Sequence, residues 1–125
     1  RIIEELPLEA LVLFGSQARG TARQGSDYDF AVLPSHPLSE EERKKVYDVL
    51  YSLLSGKIQQ LVDIDIVFLP GVSMELQTSA AAFGVLLYER TPGAFAGFRE
   101  RVMNAEADFA PLRRIFHSAI LARIP

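Results

Sequence analysis

Apolar residues in this chain follow two spacings, one suited to strands and one to helices. Ala10 to Phe14 form an unbroken apolar run, short enough for a buried strand. Asp27 to Leu33 alternates more cleanly, with Tyr28, Phe30 and Val32 on one face and Asp27, Asp29 and Ala31 on the other. Leu61 to Leu69 predicts a third strand, again placing Ile64, Ile66 and Phe68 opposite Asp63, Asp65 and Val67. Between the second and third strands, Ser39-Glu40-Glu41-Glu42 is a capping box with Ser39 as N-cap and Glu42 at N3. The helix it opens carries Val46, Leu50, Leu53 and Leu54 on one face and is expected to stop at Gly56. A further helix is expected from about Ser73 to Phe83, ended by Gly84, with a short strand over Val85 to Tyr88. From Pro92 onward the pattern is helical. Phe98, Val102, Ala105 and Phe109 make one stripe, and Leu112, Ile115, Phe116, Ala119 and Ile120 make another after Pro111.

At the other end, Arg1 to Leu6 reads as the close of a helix halted by Pro7. Ser16 is placed to N-cap a short helix reaching about Ala22, and Gln24-Gly25-Ser26 forms a turn. Strands alternating with helices, then a helical tail, indicate an α/β or α+β domain. With 125 residues, no repeat and no linker-like stretch, the chain is expected to be one continuous domain over 1–125, its helical tail starting near 92. It opens on Arg1 rather than methionine, so an upstream piece is expected to have been trimmed.

Composition narrows the class of function. A formal net charge of −3 and a pI near 5.4 give no global attraction to nucleic acid, which counts against a duplex-gripping enzyme. Cysteine is absent, so disulfides and thiolate metal sites are excluded, and an intracellular, cytoplasmic home is expected. No apolar run approaches the roughly 18 residues of a membrane span.

The chemistry concentrates at Gly15-Ser16 and, ten residues later, Asp27-Tyr28-Asp29. A Gly-Ser turn at the end of a strand offers backbone N–H groups and a hydroxyl to phosphate oxygens. Two aspartates at i, i+2 on a strand share a face and can share divalent cations. If the second and third strands are neighbours, Asp63 and Asp65 bring further carboxylates to the same small area. Like charges so gathered repel unless cations sit among them, and the hard, oxygen-seeking Mg²⁺ suits such a site. An isolated Asp pair on a strand is usually a solvated outer face; the fixed spacing to the Gly-Ser turn sets this one apart.

These residues resemble the signature of the DNA polymerase β-like nucleotidyltransferase superfamily: Gly15-Ser16, the intervening Gln17 to Ser26, then Asp27, Tyr28 and Asp29. In so small a chain they look like the minimal nucleotidyltransferases (MNT). The likeness extends through Val62 to Val67 and into the segment beginning Leu87-Tyr88-Glu89. The resemblance implies a small mixed sheet flanked by helices, with Asp27 and Asp29 binding two Mg²⁺ ions. It also implies a third carboxylate on a later strand that completes one metal site and helps deprotonate the nucleophile. Asp65 is the choice here because an Ile-Val pair follows it, with Asp63 as runner-up. Gly15, Ser16 and the N–H groups after them would hold the triphosphate of ATP, and Arg19 could reach a phosphate as a charged donor.

Stand-alone members of that group commonly act as antitoxins of HEPN ribonucleases, adenylylating a tyrosine near the toxin's active site. The resemblance therefore implies a metal-dependent transfer of AMP from ATP to a hydroxyl of a HEPN-type partner. It further implies a hetero-oligomer that contacts neither nucleic acid nor membrane directly. An antibiotic (aminoglycoside-type) adenylyltransferase is an alternative, although such enzymes usually need an extra substrate domain. A binding-only antitoxin that masks its toxin is another, against which the intact Asp27, Asp29 and Asp65 argue. His36 is expected to be exposed in a Pro-flanked loop, and the Arg113-to-His117 spacing is not that of a HEPN ribonuclease.

Overall fold

The computed structural model describes residues 2–20, 26–58, 62–69 and 71–105. Strands β1 (Leu8–Phe14), β2 (Tyr28–Pro34), β3 (Ile64–Phe68) and β4 (Val85–Glu89) form one sheet in the order β3-β2-β1-β4. β1 runs antiparallel to β2 and to β4, whereas β2 and β3 are parallel. A parallel pair needs a crossover, and helix α2 (Glu40–Lys57) supplies it. The expected mixed sheet flanked by helices is therefore present.

Both faces of the sheet are covered, because alternate residues of the strands are apolar on each side. On one face Leu11, Phe30, Val32, Ile64 and Ile66 pack under Val46, Leu50 and Leu54 of α2. Leu53, expected on that packed face, is only half-buried. On the other face Val12, Phe14 and Ala31 meet Ala80 and Ala81 of α3 (Met74–Phe83) and Phe98 and Val102 of α4, a helix over residues 94–105. Ala31, Ala80 and Ala81 are fully buried, and their small side chains let α3 lie close to the strands. Gly84 extends this closeness: a Cβ there would collide with Val12 Cγ1 and the Ala80 carbonyl oxygen, so only glycine fits where α3 turns into β4.

Capping follows the sequence. The Ser39 hydroxyl accepts from the Glu42 N–H at 3.1 Å, and the Ser39 N–H donates to Glu42 Oε1 at 3.0 Å. Ser73 caps α3 in the simpler way, accepting from the Leu76 N–H at 3.2 Å. Glu89, at the end of β4, accepts from the N–H groups of Gly93 and Phe95 and so organises the entry to α4. Arg90 donates to the carbonyls of Glu4 and Leu6, tying β4 to the start of the chain.

Several element boundaries differ from expectation; β2, for one, covers Tyr28–Pro34 rather than Asp27 to Leu33. The first residues form a 3-10 turn over Ile2–Glu5 rather than the end of an α-helix. β1 begins at Leu8, two residues early, with its register against β2 shifted between Leu8 and Ala10, and β3 covers only Ile64–Phe68. Gly56 does not end α2, which runs on to Lys57 with Ile58 as C-cap; a glycine inside a helix is tolerated at about 1 kcal/mol. The expected short strand over Val85 to Tyr88 is present as β4. The expected turn at Gln24-Gly25 and the stripe from Leu112 to Ile120 lie outside the described residues, as do Phe109, Arg113 and His117. Among the described residues, no helix is long and apolar enough to cross a membrane.

Candidate active site

β1 ends at Phe14, whose register partner on β2 is Asp29, and Asp29 in turn lies opposite Asp65 on β3. The apolar pairs beside them hold that alignment: Tyr28 against Ile64 and Phe30 against Ile66 point into the α2 core. Alternation then turns Asp29 and Asp65 to the opposite face, on adjacent strands spaced by about 4.8 Å. Asp27 stands one residue before β2 and Asp63 one before β3, where the Asp63 carbonyl accepts from the Tyr28 N–H at 3.0 Å. Asp27 and Asp65 are exposed and Asp29 is half-buried.

Burial raises the Asp29 pKa above its ordinary value, and the negative charges of Asp65 and then Asp27 push it further in the same direction. Asp63 is not among the groups that act on it. Asp27, Asp29 and Asp65 thus form an electrostatically coupled cluster, centred on the least exposed member.

The Gly-Ser turn closes over this cluster. Gly15 has φ +74°, a conformation that favours glycine, and a Cβ on it would collide with Asp29 Oδ2. Gly15 is therefore required twice, for the turn and for the room it leaves the carboxylate. The chain enters the short helix α1 (Gly15–Arg19) directly from β1, with Phe14 in the N-cap position and no side-chain cap. Ser16 is consequently the second residue of the helix and not its N-cap, as the sequence had implied. Gly20, at φ +73°, accepts the left-handed conformation and ends the helix there, short of Ala22; its N–H donates to the Ser16 carbonyl.

Two features of the site were not foreseen in the sequence. The Gln17 side-chain amide donates to the Ser26 carbonyl at 3.2 Å, fixing the residue before Asp27 against α1. Neither the spacing nor the type of Gln17 announced this. Arg19 places its guanidinium 4.1 Å from the centre of the Phe83 ring, at the end of α3. The sequence marked Phe83 only as the last residue of a helix.

A cavity of about 640 Å³ lies at the opposite ends of β2 and β3, walled by Leu33, Pro34, Phe68 and Leu69, with His36 and Arg43 also lining it. His36 is exposed there, as expected, with Nε2 3.9 Å from Glu42 Oε2.

A cation fits the donor set of the acidic cluster. Hard carboxylate oxygens surround a group whose ionisation its neighbours oppose, and a positive ion would relieve that opposition. Among the described residues no three acidic or imidazole side chains stand close enough together to hold a metal ion by themselves. An ion here would complete its shell from water or substrate phosphates, the habit of Mg²⁺.

The chain matches the family described as polymerase beta, nucleotidyltransferase, over residues 2–92. Protein adenylyltransferase MntA of Aphanizomenon flos-aquae (strain 2012/KM1/D3) is 30% identical over 125 residues, spanning 91% of this chain and 79% of that protein. Among solved structures, a toxin–antitoxin complex with AMP-PNP aligns with a TM-score of 0.72 at 24% identity, over 96% of this chain and 91% of the other. A complex of tri-AMPylated Shewanella oneidensis HEPN toxin with MNT antitoxin aligns with a TM-score of 0.66 at 21% identity, over 97% and 89%. At those identities the two structures share the fold with this chain.

Proposed function

The chain belongs to the polymerase β nucleotidyltransferase family, and on that premise we propose that it is an antitoxin which transfers AMP from ATP to a tyrosine of a HEPN ribonuclease. One observation carries the catalytic part: Asp29 lies in register with Asp65, is coupled to Asp27, and sits directly under Gly15. The choice of acceptor draws on the relative named as a protein adenylyltransferase and on the fold shared with a complex of an AMPylated HEPN toxin. The chain and its toxin would form a hetero-oligomer.

Asp27, Asp29 and Asp65 would hold Mg²⁺, with Asp65 preferred over Asp63 because Asp65 faces Asp29 across the strand pair. When bound, Mg²⁺, two ions in the family pattern, lowers the pKa of an attacking hydroxyl and neutralises charge on the α-phosphate. Gly15 and Ser16 open α1, so their end of the helix presents backbone N–H groups to the triphosphate. Arg19, one turn further, adds a charged donor.

The acceptor oxygen then forms a bond to the α-phosphorus as the bond from that phosphorus to the bridging oxygen breaks. Pyrophosphate departs with the electron pair, and the hydroxyl proton passes to the Asp65 carboxylate. Asp65 is exposed at the edge strand β3, where a hydroxyl on another protein can reach it. Asp29, half-buried between its two neighbours, is the member whose loss removes the centre of the cluster.

The test is incubation with ATP labelled on the α-phosphate, Mg²⁺ and the product of the adjacent gene. Label on that product, absent with Asp29→Ala, is the expected result. Neutralisation that survives Asp29→Ala would overturn transfer in favour of masking, and label on an aminoglycoside would move the acceptor to a small molecule.

A further inference from the structure

The Arg19 guanidinium lies over an aromatic ring at the end of α3. The guanidinium carbon lies 4.1 Å from the centre of the Phe83 ring, well inside the reach of a cation–π contact. No carboxylate pairs with Arg19 among the described residues, although Asp27, Asp29 and Asp65 lie near the other end of the same five-residue helix. An arginine paired to one of those acids would have its positive charge cancelled. Stacking on Phe83 fixes the group in direction and leaves its N–H donors uncommitted to any carboxylate among the described residues.

The backbone that carries the ring is held in place. Phe83 is the last residue of α3 and is 50% exposed, so its burial contributes little to the core. Its position follows from Gly84, where the absence of a Cβ lets the end of α3 rest on Val12 of β1. Phe14, two residues beyond Val12, leads into Gly15 and α1. The backbone at Phe83 and the helix that carries Arg19 are thus both set by strand β1.

We propose that Phe83 is a positioning residue for nucleotide binding, which holds the Arg19 guanidinium in readiness for the polyphosphate of the incoming nucleoside triphosphate. This rests on the nucleotidyltransferase reading. Pre-ordering a long side chain reduces what binding must spend on immobilising it, so the effect falls on affinity. A bare structural tie between α1 and α3 would instead alter thermal stability and leave affinity alone.

The experiment compares Phe83→Leu and Phe83→Tyr, each alone and combined with Arg19→Ala, in steady-state AMP transfer at varied ATP. Phe83→Leu should raise KM for ATP about threefold to tenfold with kcat within twofold. Phe83→Tyr keeps an aromatic face and should restore the wild-type KM to within twofold. In the Arg19→Ala background, Phe83→Leu should add nothing. An unchanged KM, a loss confined to kcat, failure of tyrosine to restore, or an undiminished effect without Arg19 would each overturn the proposal. If the wild-type protein transfers no AMP, the enzymatic reading fails by itself. The same variants are then compared by calorimetric ATP affinity: a loss specific to Phe83→Leu keeps the role of Phe83, and equal affinities or no binding end it.

Discussion

Strands β2 and β3 begin and end in opposite chemistry. At their starts, Asp27, Asp29 and Asp65 crowd charge into a partly shielded place. At their far ends, Leu33, Phe68 and Leu69 wall the cavity of about 640 Å³. The cavity end is walled mainly by apolar side chains, and the acidic end has a carboxylate displaced from its usual pKa. Perturbed ionisation marks a functional site more specifically than volume does, because it costs free energy that a bound partner can return.

The sharpest way to break this comparison is to remove one group from each end. Asp29→Ala should lower the AMP-transfer rate on the order of a thousandfold. Arg43→Ala, beside the cavity, should change it less than twofold in the same radiolabel assay. A comparable loss from Arg43→Ala would assign the chemistry to the wrong end. Next in size is Gly15→Ala, which strains a φ of +74° and drives a methyl group against Asp29. It should cost on the order of a hundredfold in transfer, together with about 1–3 kcal/mol of stability by denaturant titration.

A smaller effect belongs to neither end. Ser39→Ala removes half of the capping box and should cost about 1 kcal/mol in urea unfolding, with transfer unaltered. The Ser39 N–H, first among the causes, holds the exposed Glu42 carboxyl below its usual pKa. The support from Glu42 is therefore complete above its ordinary pKa of 4.5 and disappears as pH falls through the lowered value.

The smallest effect runs the other way. Asp29 has a raised pKa, so the folded state holds its proton more tightly than the unfolded state does. Stability then declines as pH climbs from the ordinary 3.8 through the raised value. Asn at this position carries no such charge, so metal-free Asp29→Asn should melt slightly above wild type at neutral pH. The gain should vanish near pH 3, and saturating Mg²⁺ should narrow it. A variant that melts below wild type at neutral pH would show that Asp29 is not under electrostatic stress.

Much of this was legible in the sequence, for reasons that differ by residue. Alternation over Tyr28 to Val32 and Ile64 to Phe68 set the faces correctly, since a strand has a fixed period and both cores need apolar residues. Ser39 and Glu42 announced their box because capping is local. The boundaries of α1 were misplaced: Ser16 has the right chemistry for a cap, but the turn at Gly15 had already begun the helix, and Gly20 stopped it. Gly56 was taken for a terminator although nothing at that point required a left-handed residue. Arg19 on Phe83 and Gln17 on Ser26 could not be read at all. Each joins elements brought together by the sheet order β3-β2-β1-β4, which no local pattern contains.

The parallel pairing of β2 with β3 has a consequence for how this protein can vary. Asp29 meets Asp65 because Phe30 meets Ile66 and Ala31 meets Val67, so the core indexes the acidic pair like teeth on a rack. Deleting one residue inside either strand would shift that index by a step and turn its acid toward the oily side of the sheet. Length changes should therefore be tolerated in the loops between these strands and selected against within them.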